Sequence, residues 1–277
     1  MEKNIGFIST RFAGTDGVTL ETSKWAQVLK QMGHQCFWFA GRLDKTPSQS
    51  MLVPEAFFQH EQNQWINEQI LGKKARSSAV TDTIHNMKTL LKARIKEFIE
   101  KFSIDLLIPE NALTIPMHVP LGIAITEIIA ETQIPTIAHH HDFYWERTRF
   151  FVNAVGDYLR MAFPPNLPSL YEGFGNAFLE AIYFKKPILV NRYAIFVRDI
   201  EPKGFDLIGM DGFLTRKTVE KVREVLTSNQ RKDQMVDHNY QVAKRYYSYS
   251  ILRRWLNTLM SNFFGMEAQS QWKSDFL

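Results

Sequence analysis

Two carboxylates flank a glycine turn in the segment PSLYEGFGNAFLEAIYF. Glu172 precedes Gly173 and Gly175, and Glu180 follows Glu172 by eight positions inside an apolar run that opens with the cap-type residue Asn176. Because glycine lacks a Cβ, such a turn lets the backbone approach a ligand, and the unpaired N–H groups at a helix start bind phosphate. Glu180, one turn into the predicted helix, can accept hydrogen bonds from sugar or ribose hydroxyls. On spacing alone, a glycine turn with a solvent-facing Glu180 is an equally good interpretation.

Three histidines and an aspartate, His139 to Asp142, follow the apolar run IPTIA. Ligands of parallel α/β sheets gather at the carboxyl ends of the strands, which is where this run is expected to lie. In an extended segment His139 and His141 share one face and His140 lies on the other. Neighbouring histidines rarely complete a tetrahedral site, so a metal is the least favoured interpretation. Hydrogen bonding to loop carbonyls and contact with a substrate both remain open.

The first glycine loop contains Gly14 and Gly17 between a predicted strand and a predicted helix. Its G-x-x-G spacing differs from the G-x-G-x-x-G pattern of dinucleotide-binding folds, which disfavours a nicotinamide cofactor. A strand-to-helix loop still suits an anion or a sugar, although an ordinary turn explains two glycines equally well. The single cysteine, Cys36, lies in the apolar run CFWFA, can form no internal disulfide and is predicted to be a buried thiol.

Apolar runs alternate with amphipathic stretches along the first part of the chain. The predicted strands are NIGFIS, QCFWFAG, IDLLIP and IPTIA, and the predicted helices are TLETSKWAQVLKQM, a long one through residues 84–102, and PLGIAITEIIAE. This alternation predicts parallel β-α-β units in a doubly wound sheet with helices on both faces. After the turn at Gly173, the strands PILVN and FDLIG and three helices, at 215–227, 230–246 and 248–264, are predicted. Residues 42–78 are poorly patterned, with a short helix expected near EQNQWINEQIL.

Composition places the chain among ordinary globular proteins. Of its 277 residues, 45% are hydrophobic and 22% are charged, and the longest apolar run is too short for a membrane-spanning helix. The start MEKNIGFIST lacks the layout of a signal peptide, so a cytoplasmic location is expected. The net charge of +4 is scattered, which disfavours nucleic-acid binding and favours small anions. A peripheral contact of RRW with an anionic membrane stays open.

The glutamate segment resembles a known family. PSLYEGFGNAFLEAIYFKKPILVNRY is similar to the donor-site segment of glycosyltransferase family 4, in which a Glu, seven residues and a second Glu surround glycines. Glu172, Glu180, Gly173 and Gly175 match that pattern. STRFAGTDGVTLETSKWAQVLKQMGHQ resembles the family's first strand, loop and helix, and NYQVAKRYYSYSILRRWLNTLM resembles its closing helices.

The resemblance implies an α/β, GT-B-like fold. A doubly wound parallel sheet in residues 1–163 would form the acceptor-side domain, and residues 164–277 would form an incomplete, Rossmann-like donor-side domain ending in helices. The implied reaction transfers a hexose from a nucleotide diphosphate sugar to an acceptor hydroxyl with retention. The nucleotide sugar would be a co-substrate, with no cofactor and no metal expected.

The resemblance also implies roles for particular residues. Glu180 would bind the ribose hydroxyls, Glu172 would contact the transferred hexose, and the backbone of Phe174, Gly175 and Asn176 would meet the sugar or the diphosphate. Three further positions are carried over from the first domain. His141 and Asp142 would lie near the transferred sugar, and Gly17 would lie at the mouth of the cleft between the domains.

The chain departs from the family pattern at the proline-rich FPPNLPS. The first half of the second domain, which supplies an Arg and a Lys to the leaving diphosphate, is not recognisable there. Arg147, Arg149, Arg192, Arg198 and Lys203 are the cations that remain, with surface solvation the favoured role for each. A non-catalytic remnant that binds nucleotide or sugar weakly, or acts through protein contacts, is therefore the rival hypothesis. Uncovered apolar helix faces would then dock on the first domain or form a homodimer.

Overall fold

Strands and helices alternate along the polypeptide. The structure, a computed structural model, describes residues 2–141, 144, 147–163, 176–192, 196–211 and 215–265. The strands are β1 (Asn4–Ile8), β2 (Gln35–Ala40), β3 (Ser50–Leu52), β4 (Leu106–Pro109), β5 (Leu189–Asn191) and β6 (Ile208–Met210). The α-helices are α1 (Gly17–Gln31), α2 (Glu61–Ile70), α3 (Ser78–Phe102), α4 (Val119–Thr132), α5 (Gly156–Ala162), α6 (Asn176–Tyr183), α7 (Arg216–Thr227), α8 (Asn229–Tyr247) and α9 (Tyr249–Phe264).

The larger sheet is parallel, with the strand order β3-β2-β1-β4. Residues 135–139 run alongside β4 and extend the sheet at that edge. His139 N donates to Pro109 O, and Ile137 N donates to Leu107 O. The predicted α/β class with a parallel sheet is confirmed. The strand expected at IPTIA is present only as isolated bridges to β4, at Leu107 with Thr136 and at Glu110 with His139.

Helices cover both faces of this sheet, as alternate residues of β2 show. Phe37 and Phe39 pack against α3, with ring centroids 4.7 Å from Phe102 and 5.7 Å from Phe98 respectively. Cys36 points to the opposite face, where its thiol lies against the Ala26 carbonyl of α1. Burial raises the pKa of the Cys36 thiol to about 12, which agrees with the prediction of an unreactive buried thiol. Because helices pack on both faces of the parallel sheet, the arrangement is doubly wound.

A second compact unit lies within Pro168–Trp255, while Met1–Leu167 and Leu256–Leu277 form the first. In the described part of the second unit, β5 and β6 pair in parallel. Its apolar core contains Ile208, Val225 and Met235. The Phe178 ring of α6 packs edge-on against Phe205 at 5.1 Å. Two parallel strands with helices fit the prediction of a small α/β segment, and the boundary near residue 164 stays a prediction.

Several element boundaries differ from the predictions. β3 was not expected, since its three residues lie in a stretch without periodicity. Helix α2 is present where EQNQWINEQIL predicted one. The strand predicted at FDLIG begins later, at Ile208, and α6 begins at Asn176, which was predicted to be its cap. Within the described residues, no helix is long and apolar enough to cross a bilayer.

Candidate functional site

The carboxyl ends of β1 and β4 border a cavity of about 120 Å³. Its lining is mixed, with hydroxyls from Ser9 and Thr10, the charged side chains of Arg11, Asp16 and Glu110, and apolar atoms of Val18, Phe58 and Ile115. Parallel strands end together at one edge of a sheet, so residues distant in sequence converge there. The cavity is therefore where a polar ligand of this unit is expected to bind.

Glu110 provides a fully buried carboxylate at the end of β4. Its Oε2 lies 2.9 Å from His139 Nδ1 and 3.2 Å from His141 Nε2. Burial acts to raise the pKa of Glu110, but the adjacent imidazoles of His139 and His141 lower it, and the balance leaves it below its usual range. The Glu110 carboxylate therefore carries a negative charge, which two imidazole rings share. Both rings lie on the same face, as the alternation of an extended segment predicted.

The two rings are held by neighbours from other elements. Trp25 of α1 stacks on His139, with ring centroids 4.1 Å apart and planes inclined by 24°. Asn111 Oδ1 accepts a hydrogen bond from His141 N at 3.2 Å and another from Thr114 Oγ1 at 2.6 Å. Helix α1 and the loop after β4 thus fix both imidazoles in place before any ligand binds.

His140 faces away from this pair. Burial, followed by the influence of the neighbouring His139, lowers the pKa of His140 to about 4, so its ring is neutral near pH 7. It is not among the three side chains whose ligand atoms come together. Of the three consecutive histidines, the outer two therefore form the site, and His140 serves as an internal comparison.

The rim of the cavity is charged. Asp16 caps α1 by accepting from Thr19 N at 3.3 Å and Thr19 Oγ1 at 2.7 Å, and its carboxylate lies 3.2 Å from Arg11. The Arg11 guanidinium also lies 5.6 Å from the centre of the Phe58 ring. One cation thus stands at the opening of the cavity, positioned by a helix cap and an aromatic ring.

The Asp16 cap gives a first prediction. We expect Asp16→Ala to lower the free energy of unfolding by about 1 kcal/mol, because two donors of the first turn lose their acceptor. Asp16→Asn keeps a side-chain oxygen at the cap and should cost less. Urea unfolding of the two variants measures the difference. Equal losses would mean that the charge facing Arg11, rather than the cap, provides the stabilisation.

The structure brings only some of the predicted site residues together. His141 lies beside Glu110, and Gly17 is the first residue of α1, directly after Asp16 in the cavity wall. Asn176 and Glu180 belong to α6 in the second unit. Asp142, Glu172, Gly173, Phe174 and Gly175 lie outside the described residues.

Sequence reasoning missed Glu110, His139 and Arg11 as members of the site. Glu110 had one available signal, since it is a lone acid at the end of the apolar strand LLIP. His139 was recognised as sharing a face with His141, but only His141 was carried over as a site residue. Arg11 lay in a stretch considered only for its glycines. In each case the folded sheet, and not local spacing, brings the side chain to the cavity.

Two cations considered for a leaving diphosphate are already paired. Arg192 makes a bidentate contact with Glu201, at 2.8 and 2.9 Å. Arg198 binds Asp199 in the same way, and both ion pairs are exposed. These contacts favour the surface roles that the sequence suggested for both arginines.

Two curated relatives, both named mannosylglucosylglycerate synthase, are similar to this chain in sequence. The protein of Petrotoga mobilis is 28% identical over 175 residues, which is 58% of this chain and 37% of the relative. That of Thermotoga maritima is 26% identical over 175 residues, 60% of this chain and 38% of the relative. The chain thus covers less than two fifths of the length of these relatives.

A comparison with solved structures and a search of protein-family models give no further assignment. A crystal structure of Acinetobacter baumannii MurG is 14% identical and aligns with 93% of this chain and 91% of that chain, with a TM-score of 0.30. A score this low does not establish a shared fold. No family model matches the chain.

Proposed function

We propose that this chain belongs to a glycosyltransferase that moves a hexose from a nucleotide diphosphate sugar to an acceptor hydroxyl with retention. The observation that carries the proposal is the convergence of Glu110, His139 and His141 at the carboxyl edge of a parallel sheet, beside a cavity of mixed polar and apolar lining. Such a constellation offers several hydrogen bonds to a polyhydroxylated ligand. The two relatives are named for the synthesis of a glycoside, and this name supports the same reaction class.

In this proposal the first unit binds the acceptor and the transferred sugar. His141 and Asp142 contact the hexose, and Gly17 contacts the donor. The support for His141 is its contact with Glu110, which orients the imidazole and gives its ring a fixed partner. A cavity of about 120 Å³ with Arg11 at its rim suits a small polar acceptor.

The second unit binds the donor. Glu172 contacts the hexose, Glu180 holds the ribose hydroxyls, and the backbone of Gly173, Phe174, Gly175 and Asn176 approaches the sugar and the diphosphate. Helix α6 begins at Asn176, and the first N–H groups of a helix have no intrahelical acceptor and can bind an anion. Transfer with retention needs no strong protein nucleophile when the diphosphate leaves readily, but it needs dipoles or cations aimed at the developing charge. We propose that the N-terminus of α6 supplies such a dipole and that no metal acts on the leaving diphosphate.

A second candidate is a non-catalytic sugar- or nucleotide-binding protein. The pairing of Arg192 with Glu201 and of Arg198 with Asp199 favours it, because two of the cations that could neutralise the diphosphate are engaged elsewhere. In this alternative the chain binds a donor weakly or acts through protein contacts, including a homodimer.

Saturation-transfer NMR with UDP-glucose and with GDP-mannose tests the proposal. We expect the protein to transfer saturation to one donor, and Glu180→Ala to abolish that signal because the ribose loses its acceptor. Glu220→Ala is the matched control, since Glu220 also lies on a helix and forms an exposed ion pair with Arg216. Glu172→Ala should weaken the signals of the hexose protons. A folded protein that gives no signal with either donor would favour the non-catalytic alternative.

A further inference from the structure

We propose that Glu110, His139 and His141 bind a divalent transition-metal ion, with Zn²⁺ as the representative. The run of three histidines argued against a metal, since neighbours in sequence rarely converge on one point. The fold changes that geometry, because a carboxylate from β4 lies between the two outer imidazoles. One ligand atom from each of these three side chains lies within 4.8 Å of the other two.

The distances fit a shared ion. Ligands bound to one zinc at about 2.0–2.2 Å, with angles between octahedral and tetrahedral values, stand roughly 3 to 3.5 Å apart. Glu110 Oε2 lies 2.9 Å from His139 Nδ1 and 3.2 Å from His141 Nε2. Two of the three donor pairs thus stand at the required spacing, and the two imidazole nitrogens lie within 4.8 Å of each other. Two imidazoles and one carboxylate are also the donor set of some catalytic zinc sites.

The contact between Glu110 and His139 is not a well-formed hydrogen bond. Although the two atoms are 2.9 Å apart, His139 Nδ1 makes no hydrogen bond of acceptable geometry within the described residues. Glu110 Oε1 is likewise buried without a hydrogen-bond partner there. Buried polar atoms are normally satisfied, so these two indicate that a group is needed between or beside them. A cation bound by His139 Nδ1 and by both carboxylate oxygens of Glu110 would satisfy the two atoms together.

Charge and access point the same way. Glu110 is completely buried, and an uncompensated carboxylate in that position would be costly. The His139 and His141 side chains each keep about a sixth of their surface exposed, so an ion can reach the site and retain open positions for other ligands. Two imidazole nitrogens favour zinc, iron or cobalt over Mg²⁺ and Ca²⁺, which prefer oxygen ligands throughout.

This inference does not depend on the proposed sugar transfer. The ion would bind to His141 Nε2, the atom that faces Glu110, whether or not the second unit binds a donor. Metal binding is therefore measured on the full 277-residue protein without any nucleotide sugar. If the protein binds the ion but no donor, the result supports the metal site and contradicts the proposed function. If it binds a donor but no ion, the result supports the proposed function and contradicts the metal site.

The test uses protein freed of metal by dialysis against a chelator. We expect Co²⁺ to give the visible absorption of a nitrogen- and oxygen-liganded site at one equivalent, and Zn²⁺, but not Mg²⁺, to displace it. Glu110→Gln and His141→Ala should each weaken Zn²⁺ binding, measured by calorimetry, by more than the roughly 10- to 100-fold that an outer-shell change costs. His140→Ala is the matched control and should bind as the unaltered protein does.

Several results would overturn the proposal. Absence of the cobalt spectrum in folded protein would leave Glu110 with His139 and His141 as its partners and no ion. Undiminished binding by both Glu110→Gln and His141→Ala, or an equal loss in His140→Ala, would place the ion elsewhere. Circular dichroism of each variant establishes that it is folded. Should Glu110→Gln fail to fold, His141→Ala still decides the question, because it leaves the buried carboxylate in place.

Discussion

Replacement of Gly41 by alanine is expected to prevent stable folding of the first unit. Gly41 directly follows β2, and a Cβ there would lie 1.9 Å from Phe57 N and 2.3 Å from Phe57 Cα. These are backbone atoms, so no side-chain rotation relieves the overlap. Relief requires the 3₁₀ turn Pro54–Ala56 to move away from the sheet. Overpacking commonly costs 1–3 kcal/mol when side chains can adjust, and we expect at least about 3 kcal/mol here.

The consequence extends to the candidate site. Phe58, next to the displaced residue, lines the cavity and lies against Arg11. Urea unfolding and the yield of soluble protein measure the effect. Gly156→Ala is the matched control, because its Cβ would meet only the end of the Arg160 side chain, at 3.5 Å. That substitution should be neutral or stabilising by up to about 1 kcal/mol. Equal stability of the two variants would mean that the 3₁₀ turn shifts at little cost.

The sheet was predictable because its signal is local. β1, β2 and β4 are short apolar runs, and the intervening helices carry regular apolar stripes, so the alternation of elements could be predicted from spacing alone. The apolar residues that recur at helical spacing along α3 are buried, namely Ile84, Met87, Leu91, Ile95, Phe98 and Phe102. The three-residue β3 gave no periodic signal, since so short a strand is defined by its neighbour β2 rather than by its own pattern.

The site was harder to predict because its members are distant in sequence. His139 and His141 were visible as a pair on one face, but their partner Glu110 precedes them by about thirty residues, across α4. Only the parallel pairing of residues 135–139 with β4 places the carboxylate between them. In the donor segment, by contrast, Glu172 and Glu180 could be predicted because they belong to a local sequence motif. Their roles stay predictions.

Acid is expected to destabilise the first unit through His118. This side chain caps α4, where Nδ1 accepts a hydrogen bond from Leu121 N at 3.2 Å and Nε2 donates to the Glu55 carbonyl at 2.8 Å. A second proton on Nδ1 would point at an N–H group in a fully buried position. Burial, the main cause, lowers the pKa of His118 to about 4. Folding therefore requires the neutral ring.

The sign of the effect follows from the two protonation states. Below pH 6.5 the unfolded chain binds a proton at His118 while the folded chain does not, so stability falls as the pH decreases and the loss ends near pH 4, where the folded state also binds the proton. A difference of this size amounts to about 3 kcal/mol between pH 7 and pH 4. Urea unfolding across that range, followed by tryptophan fluorescence, measures it.

His118→Asn separates this contribution from that of other titrating groups. Asparagine keeps a side-chain oxygen at the cap but leaves the buried Glu55 carbonyl without its donor, so we expect a loss of about 2 kcal/mol at pH 7. Because asparagine does not titrate, the variant should lose less stability on acidification, and the two curves should converge or cross near pH 4. Parallel curves would mean that His118 takes up its proton at the same pH in the folded and the unfolded chain. The buried cap would then tolerate charge, and the acid sensitivity of the fold would arise elsewhere, with the imidazoles around Glu110 the next residues to substitute.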